Sequence, residues 1–145
     1  MEEIDEIVED VETADLMRSI LRKRFELFDE RHTVRARRLD DDESYIGYRT
    51  TDANIPQGST HFDLNLIGNI CYLLHIELGK EARGNGYGKQ MYDSVEDFAK
   101  AVGCDRVRMM PFGRTATGES RRSYLHRKGY RDVTHEGEVE KLLTT

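Results

Sequence analysis

The stretch ELGKEARGNGYGKQMYDSVEDFAK, residues 77–100, places Gly84, Gly86 and Gly88 within five positions and then runs directly into an amphipathic pattern. Met91, Val95, Phe98, Ala99 and Val102 recur at three- and four-residue steps, which predicts a helix over residues 87–102 closed by Gly103. The preceding ICYLLHIEL, residues 70–78, is rich in β-branched and apolar side chains and reads as a strand. The glycines therefore join a strand to a helix N-terminus. Such a junction leaves several backbone N–H groups without an intrahelical acceptor, and the helix dipole adds about half a positive charge, so the arrangement suits an anion. The spacing is GxGxG rather than GxGxxG, and Lys89 has neither P-loop spacing nor a following Ser or Thr, which sets aside both common nucleotide motifs. A tight turn alone would explain the glycines, but not why Arg83 and Lys89 bracket them.

Upstream, Leu16, Met17, Ile20, Leu21, Phe25 and Phe28 draw one helical stripe through residues 13–29, with Thr13 as N-cap. IDEIVED, residues 4–10, fits either a helix or a short first strand. From His32 to Leu78 the period changes, and HTVRARRL, SYIGYRTT, HFDLNLI and ICYLLHIEL read as consecutive strands. DDDE at 40–43 suits a tight hairpin, and DANIPQGS at 52–59 a longer loop. Downstream, DRVRMMPF reads as a strand, SRRSYLHRKGY as a helix closed by Gly129, and EVEKLL as a last strand. A helix, then antiparallel strands, then alternating strands and helices call for an α/β fold with a mixed sheet.

With 145 residues and two prolines, the chain is expected to form a single domain over residues 1–145. Charged residues make up 34% and the net charge is −6, which argues against nucleic acid as the main partner. The basic runs at 22–24, 35–38 and 121–122 read as solvated faces. No apolar run approaches the roughly 20 residues of a spanning helix, so a cytoplasmic location without membrane contact is expected. Cys71 and Cys104 lack metal-ligand spacing and read as buried thiols, and no metal is expected.

Arg83, Gly86 and Gly88 meet the signature [QR]xxGx[GA], and the stretch resembles the pyrophosphate loop of the GCN5-related N-acetyltransferase (GNAT) superfamily. Ile76-Glu77-Leu78 matches the strand before that loop, and YLHRKGYRDV is similar to the family's later helix with its YxKxGF-like end, so the resemblance spans roughly residues 69–133. It implies a GNAT-like fold: a mixed, mostly antiparallel sheet flanked by helices and splayed at an acyl-CoA site. It also implies acetyl-CoA as cofactor and transfer of an acetyl group to a small-molecule or protein amine.

In that reading the backbone around Gly84, Asn85, Gly86, Tyr87 and Gly88 cradles pyrophosphate, with Arg83 and Lys89 adding charge. Leu78 and Gly79 bond the pantetheine arm, and a family bulge in this strand aims an N–H at the thioester carbonyl. Strand alternation puts Leu74, Ile76 and Leu78 on a buried face and His75 and Glu77 on the other, which makes Glu77 the first candidate base and His75 the second. The family's usual tyrosine acid falls on Leu125 here, so Tyr124, next to it, is the remaining candidate. The asparagine often found seven residues before that tyrosine is replaced by Gly118. GRTATGES at 113–120 is expected along the cleft, where Ser120 either meets the cofactor or, like Thr117, caps the helix. A non-catalytic acyl-CoA-binding or sensing module is the alternative function. Relatives dimerise through sheet edges or helices, which leaves a homodimer open.

Overall fold

The computed structural model describes residues 8–25, 31–50, 60–78, 86–115 and 117–143. In chain order its elements are β1 (Val8–Glu9), α1 (Val11–Arg24), β2 (His32–Arg38), β3 (Glu43–Thr50), β4 (His61–Ile67), β5 (Ile70–Glu77), α2 (Tyr87–Ala101), β6 (Arg106–Met109), α3 (Arg121–Arg127), β7 (Arg131–Asp132) and β8 (Val139–Leu142). All described strands join one sheet in the order β1-β2-β3-β4-β5-β6-β8-β7. The β2 to β5 pairs, each between strands consecutive in sequence, are antiparallel, whereas α2 lies between β5 and β6 in the chain and that pair is parallel. This is the mixed, mostly antiparallel sheet that the sequence pattern calls for.

The core lies between the sheet and the stripes of α1 and α2. Met17 and Leu21 of α1 and Met91, Val95 and Phe98 of α2 are wholly buried with Ile46, Phe62 and Leu64 from the strands. Each such side chain withdrawn from water contributes about 1.5–3 kcal/mol. Cys71 and Cys104 are free and buried in the same core, as expected. None of the described helices is long and apolar enough to cross a membrane.

The start of α1 corrects the expected cap. Asp10, not Thr13, is the N-cap: its carboxylate accepts the Thr13 backbone N–H at 3.0 Å and the Thr13 hydroxyl at 2.6 Å. A carboxylate offers two acceptor oxygens and so satisfies both donors at once. The open reading of residues 4–10 resolves in part, since Val8–Glu9 pairs with Arg37 and Arg38 as a short strand. Helix α1 ends at Arg24, with Phe25 already extended; Phe28 and the loop at 52–59 lie outside the described residues. We expect Asp10→Ala to cost about 1 kcal/mol at neutral pH, read from urea unfolding. The Thr13 hydroxyl, and then its N–H, hold the Asp10 carboxyl below its ordinary value. The contribution is therefore present above about pH 4 and lost as pH falls through the lowered value, where wild type and variant converge.

Strand β5 departs from plain alternation. Asp63 pairs with His75 but Leu64 pairs with Leu73, so Leu74 is an extra residue in the strand, a β-bulge. Cys71 and Leu73 face the core before it, while Ile76 and Leu78 pack against the core after it. Leu74, expected on the buried face, is 57% exposed. An inserted residue switches the parity of the strand, which a strict period of two cannot register.

Candidate active site

The ladder between β5 and β6 runs from Ile70–Arg106 to Leu73–Met109 and stops, although β5 continues to Glu77. Among the described residues no strand pairs with that edge of β5 beyond Leu73. The sheet opens there into a cleft of about 430 Å³ lined by Ile76, Glu77 and Leu78 of the β5 end, by Gly86, Gly88, Lys89, Met91 and Tyr92 at the start of α2, and by Tyr124 and Arg127 of α3.

The N-terminus of α2 forms one wall. Gly86 is its N-cap, with φ of +82° and no side-chain cap, and no acidic residue occupies the first turn. The first intrahelical bond runs from Gln90 N–H to the Gly86 carbonyl, so the preceding N–H groups have no intrahelical acceptor. Among the described residues a Cβ at Gly88 would meet only the Leu78 side chain, at 4.0 Å, and Gly88 lines the cleft. Gly79, Arg83, Gly84, Asn85 and the Tyr87 side chain lie outside the described residues.

The lining is cationic on balance, with Lys89, Arg114, Arg121 and Arg127 against Glu77 and Glu119. Arg127 donates to Glu119 at 3.0 Å and Lys89 to Asp93 at 2.9 Å, while Arg114 donates to the Gly118 carbonyl at 2.7 Å. An incoming polyanion thus meets four positive side chains, of which Arg114 is bonded to a neutral carbonyl. The segment expected along the cleft contributes Arg114, Thr115, Thr117 and Glu119. Ser120 instead caps α3 by accepting the Ser123 N–H at 3.1 Å, and it does not line the cleft.

Helix α3 turns Leu125 wholly into the core and Tyr124 into the cleft. The Tyr124 ring lies 5.7 Å from that of Tyr92, with the Arg127 guanidinium 5.6 Å from its centroid. Burial first, and then the Asp93 carboxylate, raise the Tyr124 pKa, so its hydroxyl keeps its proton at neutral pH. Tyr92 is a cleft residue the sequence pattern did not single out. It is 6% exposed, and its hydroxyl has no hydrogen-bond partner among the described residues. Burial pushes its pKa up to about 12. Orphaned buried hydroxyls are uncommon, and this one belongs to a residue of the cleft wall. Helical periodicity could not reveal it, because a tyrosine beside a buried stripe reads as ordinary core.

His75 and Glu77 lie on the sheet face opposite the helices, as expected. The Nε2 of His75 is 3.6 Å from the Glu77 carboxylate, and only Glu77 of the two lines the cleft. His61, directly across β4 from Glu77, completes a group of three, its Nε2 3.9 Å from the same carboxylate oxygen. Beyond it, Asp63 accepts from the Tyr45 hydroxyl.

The profile of the acetyltransferase (GNAT) family matches residues 3–130 of the sequence, and the chain belongs to that family of acyl-CoA-dependent N-acyltransferases. An acetyltransferase from Bacillus cereus ATCC 14579 superposes with a TM-score of 0.55 at 16% identity, over 99% of each chain. A GNAT-family acetyltransferase from Staphylococcus aureus MU50 gives 0.51 at 15% identity, over 96% of this chain and 99% of that one. The PaiA N-acetyltransferase of Thermoplasma acidophilum, crystallised with coenzyme A, gives 0.50 at 20% identity; 70% of this chain is covered, and it spans 61% of that protein's length. At these identities the likeness establishes the fold. No curated protein matches the sequence. Acetyl-CoA is the cofactor of the family, and the uncapped helix end and cationic lining fit it.

Proposed function

We propose that the chain, acting as one domain in the cytoplasm, transfers an acetyl group from acetyl-CoA to a primary amine by direct attack within a ternary complex. One observation carries this reading: a single cleft joins the uncapped N-terminus of α2 to the Glu77 carboxylate. The N–H groups around Gly86 and Gly88 hold the pyrophosphate, with Lys89 beside them and Arg83, Gly84, Asn85 and Tyr87 assigned by the family motif. Leu78 and Gly79 hold the pantetheine arm along the opened edge of β5. When bound, acetyl-CoA supplies an activated acyl group and a good leaving group. We assign to the bulge at Leu74 the backbone N–H that the family motif aims at the thioester carbonyl, and one well-placed donor to a developing oxyanion is worth roughly 3 kcal/mol.

The acceptor amine must lose its proton before attack. Glu77 takes it, directly or through water, with His75 as the second candidate. The net charge of −6 and the exposed Glu77 carboxylate favour a cationic acceptor, either a small polyamine-like molecule or a lysine side chain. Tyr124, a neutral donor in the cleft, returns a proton to the departing thiolate. Because water can also protonate a thiolate, we expect Tyr124→Phe to lower kcat only about tenfold, below the usual range for an indispensable acid. Stopped-assay thiol detection at saturating acetyl-CoA reads this directly.

A non-catalytic acyl-CoA-binding module is the second reading, favoured by Leu125 being wholly buried where the family often has its acid. Release of free thiol from acetyl-CoA across a panel of amines separates the two. Amine-dependent release supports the enzyme, and acetyl-CoA binding without release to any amine supports the module.

A further inference from the structure

His61, His75 and Glu77 converge in a way that the acetyl-transfer reading does not use. Residues i and i+2 of β5 share a face with the direct cross-strand partner of the second, so three side chains from two paired strands reach one point. The imidazoles of His61 and His75 stack with centroids 4.8 Å apart and planes at 23°, and both Nε2 atoms point toward one oxygen of Glu77. The three ligand atoms lie within 4.8 Å of one another.

We infer that His61, His75 and Glu77 form a binding site for a divalent cation of the zinc class. Zinc bonds imidazole nitrogen at about 2.0–2.1 Å and carboxylate oxygen at about 2.0–2.2 Å, which places tetrahedral ligands roughly 3.4 Å apart. The two separations to Glu77, 3.6 Å and 3.9 Å, exceed this by a few tenths of an ångström, and the whole set, spread within 4.8 Å, must close further on binding. His75 and Glu77 are half-exposed and His61 partly exposed, so χ rotations on the rigid sheet are open to them. Two imidazoles and one carboxylate select zinc and its transition-metal neighbours over magnesium or calcium, which prefer all-oxygen sets. Three protein ligands leave a coordination position open to solvent. Arg49, the exposed neighbour of His61 across β3, adds a repelling charge, which sets the expected affinity in the micromolar range. The site escapes a search for Cys/His spacing because its ligands are fourteen and two positions apart and meet only through the β4–β5 register.

One consequence rests on the proposed function: a bound cation occupies the Glu77 carboxylate and blocks its service as base, so zinc inhibits acetyl transfer without displacing acetyl-CoA. The site itself is tested without acetyl-CoA or acceptor, so its failure and that of the catalytic reading are distinguishable. The tag-free, metal-stripped full chain is titrated with Zn²⁺ by calorimetry and with Co²⁺ by visible absorption. His61→Ala, His75→Ala and His126→Ala are run beside it, each checked for folding by circular dichroism. His126 is the control, because it pairs with Asp132 at 2.9 Å on a different surface. The expected result is one saturable equivalent with the enhanced Co²⁺ bands of a low-coordinate nitrogen and oxygen site. Binding should weaken roughly tenfold or more in both His61→Ala and His75→Ala, and remain unchanged in His126→Ala. Absence of saturable binding up to millimolar Zn²⁺, or equal binding by His61→Ala and wild type, overturns the site.

Discussion

Gly86→Glu is expected to weaken acetyl-CoA binding at least a hundredfold, about 2.7 kcal/mol. Two effects act together. Gly86 begins α2 with φ of +82°, a conformation that costs an L-residue about 1–2 kcal/mol. Among the described residues nothing lies within 4 Å of a Cβ at this position, so the new side chain has room there and the helix can still form. Its carboxylate, however, stands at the positive end of the helix, on the N–H groups assigned to the pyrophosphate, and repels a ligand that brings like charge. Gly86→Ala separates the contributions: it carries the backbone strain without the charge, and calorimetry should show a loss of less than tenfold. Equal losses in both variants would assign the effect to backbone distortion.

Glu77→Gln should lower kcat by roughly 10²–10³-fold, the range for loss of a positioned general base, while leaving the acetyl-CoA Kd within twofold. The amide keeps the size and hydrogen-bonding shape of the carboxylate but accepts no proton at neutral pH. Glu77 is 56% exposed at its side chain and its neighbours are two histidines, so the substitution should leave the fold intact. Rates measured with saturating acetyl-CoA and a reactive amine isolate the chemical role. A change in KM for the amine alone would instead make Glu77 a binding group, and an equal loss in His75→Ala with none in Glu77→Gln would transfer the role of base to His75.

The glycine-rich junction and the apolar stripe after it carried most of what could be read before the structure. The stripe is local, its period is that of a helix, and α2 ends at Ala101 with Gly103 at φ +89°, close to its expected bounds. The four central strands were equally legible, because each is rich in β-branched and aromatic residues and is bounded by turn formers. What the sequence did not disclose depends on pairing. The Leu74 bulge exists only relative to β4, and it moved an apolar residue to the solvent face. The strand β7, two residues long, has no pattern of its own and exists through pairing with β8. The same holds in the site. Tyr124 and Leu125 are adjacent, and only the packing of α3 decides which one enters the cleft. Tyr92 and His61 became visible when distant segments met.

Acetyl-CoA is expected to bind in the cleft between the end of β5 and the N-terminus of α2. Backbone amide chemical shifts of the ¹⁵N-labelled protein, followed during titration with acetyl-CoA, test it most directly. Saturable changes are expected at Leu78, Gly86, Gly88, Lys89 and Tyr124, with α1 and β2 nearly silent. Changes centred instead on the groove between α1 and α2, around Lys23 and Asp97, or no saturable change at all, would contradict it.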